Sequence, residues 1–153
     1  MLSRSGVYAL QATLHLAQQL PETYVSAAHL AKSLSVPSEY LAKILHRLSR
    51  EGLLVSTRGS RGGYRLSVPA EELTVERIVE PFDAFRAPQV CLMGGPCNLD
   101  APCAAHLHRV EWNEARRRVL ADTVLSDLLP SPSSPPHGAD DTAQLRPTQM
   151  TGS

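Results

Sequence analysis

The sequence predicts a mostly α-helical fold with one small β-hairpin, and three observations predict it. Apolar residues recur at helical spacing over residues 5–20, 27–34, 39–51 and 101–121. The second and third of these stretches are separated only by the tight turn Ser35-Val36-Pro37, and two helices joined by three or four residues form a helix-turn-helix. Two strand-like runs follow directly, Leu53–Thr57 and Gly63–Ser67, with the Gly-rich turn Arg58-Gly59-Ser60-Arg61-Gly62 between them. A β-hairpin behind a helix-turn-helix is a wing. The expected architecture is a winged helix-turn-helix followed by a long C-terminal helix.

Each element has its own signals. Over residues 5–20, Val7, Leu10, Leu14 and Ala17 fall on one helix face, Leu16 and Leu20 lie beside it, and Pro21 stops the helix. Ser26 is the expected cap of a second helix, Ala27 to Leu34, that turns Leu30, Ala31 and Leu34 inward. Ser38 is the expected cap of a third, Glu39 to Glu51, with Leu41, Ile44, Leu45 and Leu48 inward and Ala42, Lys43, His46, Ser49 and Arg50 outward. Gly52 ends it as a C′ glycine does. The second helix of such a motif is the one that enters a DNA major groove, so Ser38, Tyr40, Lys43 and His46 are the expected groove residues. Arg58 and Arg61, at the wing tip, suit phosphate contacts or a narrow minor groove.

Thr74 is the expected cap of a further helix carrying Val75, Ile78, Val79 and Phe82 inward, which Pro81 should end or kink at Glu80. Asp100 as cap and Pro102 in the first turn predict a long helix from Ala101 to about Ala121. Leu107, Val110, Trp112, Ala115, Val119 and Leu120 give it more apolar coverage than one small domain needs, which points to a partner helix. Thr123 is the expected cap of a short closing helix ending at Leu129. Residues 130–153, rich in Pro, Ser, Asp and Thr, are expected to be a disordered tail. The division is thus residues 1–80 as the winged domain, 81–106 as a cysteine-bearing loop, 101–129 as a partner-binding helix with its closing helix, and 130–153 as tail.

Composition excludes some classes. The chain has 153 residues and 42% hydrophobic content, enough for a real core, and no apolar run approaches the ~18 residues of a membrane span. The N-terminal Met-Leu-Ser-Arg-Ser-Gly has no apolar core of a signal peptide. The expected setting is therefore cytoplasmic and reducing, without a membrane partner. The zero net charge hides a polarity: residues 1–66 carry eight Lys/Arg against three Glu, a balance of +5 offset by −5 in the remainder. A basic half suggests a polyanionic partner.

All three cysteines lie in one stretch, Cys91, Cys97 and Cys103, with five residues in each interval and His106 three residues after the last. Gly94, Gly95 and Pro96 forbid a regular element between the first two. Two thiols on a loop and a thiol with an imidazole at a helix start make a four-ligand set for a soft metal centre. Inert core cysteines would not cluster in this way. A zinc site matches the ligand types but not the usual spacing of two to four intervening residues. A redox-active thiol pair and an iron–sulfur cluster both remain open at this point. A cysteine nucleophile with His106 as base lacks any accompanying oxyanion device, so an enzyme is not expected.

Taken together, residues 1–129 resemble the IscR/NsrR-type iron–sulfur transcription regulators. The resemblance rests on Tyr40-Leu41 opening and Gly52-Leu53 closing the recognition helix, on Arg58-Gly59 with Gly62-Gly63-Tyr64 in the wing, and on the evenly spaced cysteines with His106. It implies a homodimer formed through the long helix, binding double-stranded DNA according to the state of an iron–sulfur cluster. NsrR-like members take a ligand from an N-terminal carboxylate, whereas the matching region here, Gly6-Val7-Tyr8-Ala9, contains no acid. His106 matches the IscR-like ligand, which implies a 2Fe–2S rather than a 4Fe–4S cluster on Cys91, Cys97, Cys103 and His106. Ala42 stands where IscR-like members carry a glutamate implicated in choosing between operators.

Overall fold

The computed structural model describes residues 2–60, 62–83, 98 and 100–130. The helices are α1 (Arg4–Ala17), α2 (Ala27–Ser33), α3 (Ser38–Arg50), α4 (Val75–Val79) and α5 (Ala104–Asp122), and the strands are β1 (Leu54–Thr57) and β2 (Gly63–Leu66). A short 3₁₀ helix, Leu125–Leu128, closes the described chain. The architecture is mostly helical with a two-stranded antiparallel wing, as the sequence predicts. The tail from residue 131 lies outside the described residues, as do Arg61, Cys91 and Cys97.

Local chemistry explains most boundaries and moves some of them. Ser3 caps α1 by accepting from the Gly6 N–H at 3.0 Å. The buried side of α1 is Gly6, Ala9, Ala12, Thr13 and Leu16, while Val7 is exposed. The helical period was read correctly but its phase was not: small residues let α1 lie close to α4, and they carry a weak hydrophobic signal. The Thr13 hydroxyl, fully buried, is satisfied by the Ala9 and Leu10 carbonyls.

Three expected caps are corrected. Ser38 is the first residue of α3, not its cap; Pro37 holds that position, and its carbonyl accepts from Tyr40 and Leu41. The long helix starts three residues late, because Asn98 Oδ1 takes the N–H groups of Asp100 and Ala101 into a turn and Cys103 becomes the cap of α5. Thr123 ends α5, donating to the Val119 carbonyl at 2.8 Å, and Val124 leads into the 3₁₀ helix with its N–H on Asp127 Oδ2. Two other boundary expectations hold. Gly52, at φ +73°, follows the α3 C-cap, and α4 stops at Val79, just before Pro81.

The core is one cluster in which Leu30, Leu41, Leu45, Leu48, Leu73, Ile78 and Leu125 are all fully buried. The wing pairs Leu54 with Leu66 and Thr57 with Gly63 at its two ends. Val25 extends this ladder, exchanging two backbone hydrogen bonds with Tyr64 at 3.0 and 2.8 Å. A side chain at Gly63 would overlap the Val25 backbone, so only glycine lets the two approach. The C-terminal end of α5 returns to the same core: Val75 N–H bonds the Thr123 carbonyl, Leu125 bonds Leu73, and Ser126 bonds Ala70.

Candidate nucleic-acid interface and cysteine site

On α3 the four residues Leu41, Ile44, Leu45 and Leu48 are buried and fix which side is free. Lys43, His46, Arg47 and Arg50 all point to solvent, and Ser38 is exposed at the head of the helix. Lys43, Arg47 and Arg50 follow i, i+4, i+7 spacing and form one cationic stripe, with His46 beside it. Arg47 was missed by sequence reasoning, although its spacing from Lys43 was a usable signal. Its guanidinium sits 5.4 Å from the centre of the Phe82 ring. Tyr40 is half-buried and has a structural task. Its hydroxyl is 2.7 Å from Ser5 Oγ, and its ring meets Tyr8 edge-on at 5.9 Å, so it braces α3 against α1.

In the wing, Arg58 is exposed at the end of β1. The turn after it needs Gly59, at φ +110°, and closes with the Gly62 N–H on the Gly59 carbonyl at 2.9 Å. Arg65 is engaged at the wing root instead. It pairs with Glu22 at 3.4 Å and lies 5.4 Å from the Tyr24 ring centre, and the Tyr24 hydrogen bond followed by Glu22 raises its pKa.

At the head of α5, Cys103 is the N-cap, in extended conformation, with its side chain exposed. His106 stands one turn later and is buried, its N–H on the Cys103 carbonyl at 3.0 Å. A thiol and an imidazole therefore stand one turn apart at one helix end, two of the donor types a soft metal centre uses. No group of three metal-ligating side chains occurs among the described residues. Beyond His106, α5 leaves Leu107, Trp112 and Val119 exposed by 51%, 56% and 64%. His108, Trp112, Ala115 and Val119 share one stripe by their spacing. The opposite side docks on α4, where Arg117 bonds Glu76 and lies 3.9 Å from Glu80.

Hydrocarbon inside and cation outside, on a helix braced beside a β-wing, is how winged helix-turn-helix transcription regulators meet double-stranded DNA. Residues 2–131 match the family model of Rrf2, described as an iron-dependent transcriptional regulator, and the chain belongs to this family. An HTH-type transcriptional regulator of Aquifex aeolicus is 33% identical over 128 residues, covering 80% of this chain and 86% of that protein. The regulator IscR of Cereibacter sphaeroides is 29% identical over 144 residues, covering 88% and 93%. Among solved structures, CymR, the global cysteine regulator of B. subtilis, superposes with a TM-score of 0.69 at 26% identity, covering 84% of this chain and 95% of that one. Among the described residues no helix is long and apolar enough to cross a membrane.

Proposed function

We propose that this DNA-binding regulator works as a cytoplasmic homodimer and senses redox state, iron–sulfur status or nitric oxide through a 2Fe–2S cluster. Cys91, Cys97, Cys103 and His106 are its ligands, within the segment 81–106. The observation that supports the reading is that Cys103 and His106 stand one turn apart at the head of α5, which is otherwise short of apolar cover. When bound, the cluster supplies an electron-accepting centre that oxidants or nitric oxide can disassemble. On the DNA side, Ser38, Tyr40, Lys43 and His46 enter the groove and Arg58 and Arg61 flank it, with α5 pairing the two protomers.

The test compares protein purified without oxygen as wild type, His106→Cys and His106→Ala. Wild type should absorb in the visible, and each cysteine-to-serine variant should not. His106→Cys should keep a cluster at a lower reduction potential, because a thiolate brings a negative charge that a neutral imidazole does not. His106→Ala should lose its cluster faster in air. Identical behaviour of all three would remove His106 from the ligand set. A second reading, a zinc-binding or thiol-redox regulator without iron, draws support from the exposed Cys103 thiol and the likeness to a cysteine regulator. It predicts a colourless protein whose DNA affinity follows thiol oxidation or zinc.

A further inference from the structure

Phe82 and Asp83 belong to neither α3 nor the wing, yet one touches α3 and the other the start of α1. Both are fixed by one acceptor, the Val79 carbonyl at the end of α4, which takes their N–H groups at 2.9 and 2.8 Å. Asp83 Oδ1 accepts from the Ser3 N–H at 2.7 Å, across eighty residues of sequence. Asp83 Oδ2 is buried, finds no hydrogen-bond partner among the described residues, and lies where a Cβ on Gly6 would be. A carboxylate is thus held against the positive end of α1. Within that same first turn of α1, Ser5 Oγ holds the Tyr40 hydroxyl, and Tyr8 meets the Tyr40 ring. Phe82 meanwhile lies beneath Arg47 in the cationic stripe of α3.

We propose that Phe82 and Asp83 form a clamp that positions the recognition helix: Asp83 acts on Tyr40 through the first turn of α1, and Phe82 acts on Arg47. Neither residue touches DNA, so both are positioning residues. Removing the carboxylate leaves the Ser3 N–H and the first turn of α1 without their acceptor. Ser5 then no longer holds a fixed place, and Tyr40 loses the partner that orients it. Phe82 and Asp83 stand at the start of residues 81–106, the segment that carries Cys91 and Cys97. Resting on the sensing role proposed above, the clamp is the route by which a change in that segment reaches α1 and α3 together, a two-armed contact rather than a single hinge.

The experiment is a double-mutant cycle read by fluorescence anisotropy. The probe is a fluorescein-labelled duplex enriched from a random pool on the wild-type protein. Asp83→Ala should weaken binding about tenfold, the scale of coupling between contacting residues. Asp83→Asn, whose amide oxygen can still accept from Ser3, should stay within about threefold of wild type. The pair Asp83→Ala/Ser5→Ala should bind no more weakly than Asp83→Ala alone, because both changes cut one path. Additive losses, measured on folded protein, overturn the proposal. If Asp83→Ala does not fold, Phe82→Leu decides. It keeps apolar bulk, and a loss of about threefold or more at unchanged melting temperature supports the clamp, while wild-type affinity overturns it. The visible spectrum separates the two readings: a colourless protein with a non-additive cycle keeps the clamp and loses the cluster, and a coloured protein with an additive cycle does the reverse.

Discussion

Replacing Gly63 by alanine tests how the wing is attached to the helices. A Cβ there would overlap the carbonyl of Val25 and crowd the Ser26 nitrogen, all backbone that cannot swing aside. The strain is relieved only if the Val25 segment withdraws from Tyr64, which breaks both hydrogen bonds between them. At about 0.5–1.5 kcal/mol net for each, the loss is about 1–3 kcal/mol. Urea unfolding followed by circular dichroism should show a lower midpoint at an unchanged slope. DNA affinity should fall too, because Arg58 rides on the hairpin whose root has moved. Gly59→Ala is the matched control. Its φ of +110° disfavours alanine but nothing lies within 4 Å of the added carbon, so it should cost about 1 kcal/mol and leave the Val25 ladder intact. A Gly63→Ala midpoint equal to wild type would show that the Val25 pairing contributes nothing to stability.

Further outcomes are equally specific. Val119→Glu places a carboxylate on the uncovered stripe of α5, and if a second copy covers it the dimer should weaken by about 2–3 kcal/mol, roughly 30- to 160-fold in Kd; sedimentation showing a monomeric wild type would refute the pairing. Arg58→Ala should cost about 1–3 kcal/mol of DNA affinity if it reads a base edge, or weaken all sequences alike and flatten the salt slope by ~1 if it meets phosphate. His15 is pushed below its ordinary value by burial first and by His29 second, the two rings being 5.9 Å apart. The native state then binds fewer protons than the unfolded chain, so this contribution is whole above the ordinary value of 6.5 and is lost as pH falls through the lowered one. His29→Gln should shrink the loss of stability between neutral and mildly acid pH, and superimposable urea midpoints would count against it.

What the sequence disclosed depended on the range of the interactions. Leu41, Ile44, Leu45 and Leu48 were legible because one helix period places four large side chains on one face, and all four are buried. Gly52 and Pro81 were legible because their backbone chemistry acts locally. The α1 face was misphased because it is built from Gly6, Ala9, Ala12 and Thr13, residues common on either side of a helix. Asp100 and Thr123 failed as caps because Asn98 and Asp127, equally good acceptors nearby, won the competition. Val25 on Tyr64, Phe82 on Arg47 and Asp83 on Ser3 are contacts between distant segments with no local pattern at all. Of the cysteine site, the described residues include Cys103 and His106 at the head of α5, with Cys103 as the cap rather than inside the helix because the helix begins later than expected.

Leu125 sits in the core with no exposed surface, among residues that come from the first half of the chain. Its N–H and those of Ser126 and Val75 tie residues 123–126 to residues 70–75, and α1 packs on the 3₁₀ helix that holds it. During synthesis, the helix-turn-helix and wing leave the ribosome long before this plug does. Until residue 125 emerges, the space it fills between α1 and the segment around Leu73 is an open apolar pocket, and closing it carries the entropic cost of a long loop. The core on which α1 and α3 pack is therefore completed only after α5 has been made. A nascent chain that ends before residue 125, or one trimmed back past it, is expected to lack the side chain that closes this core.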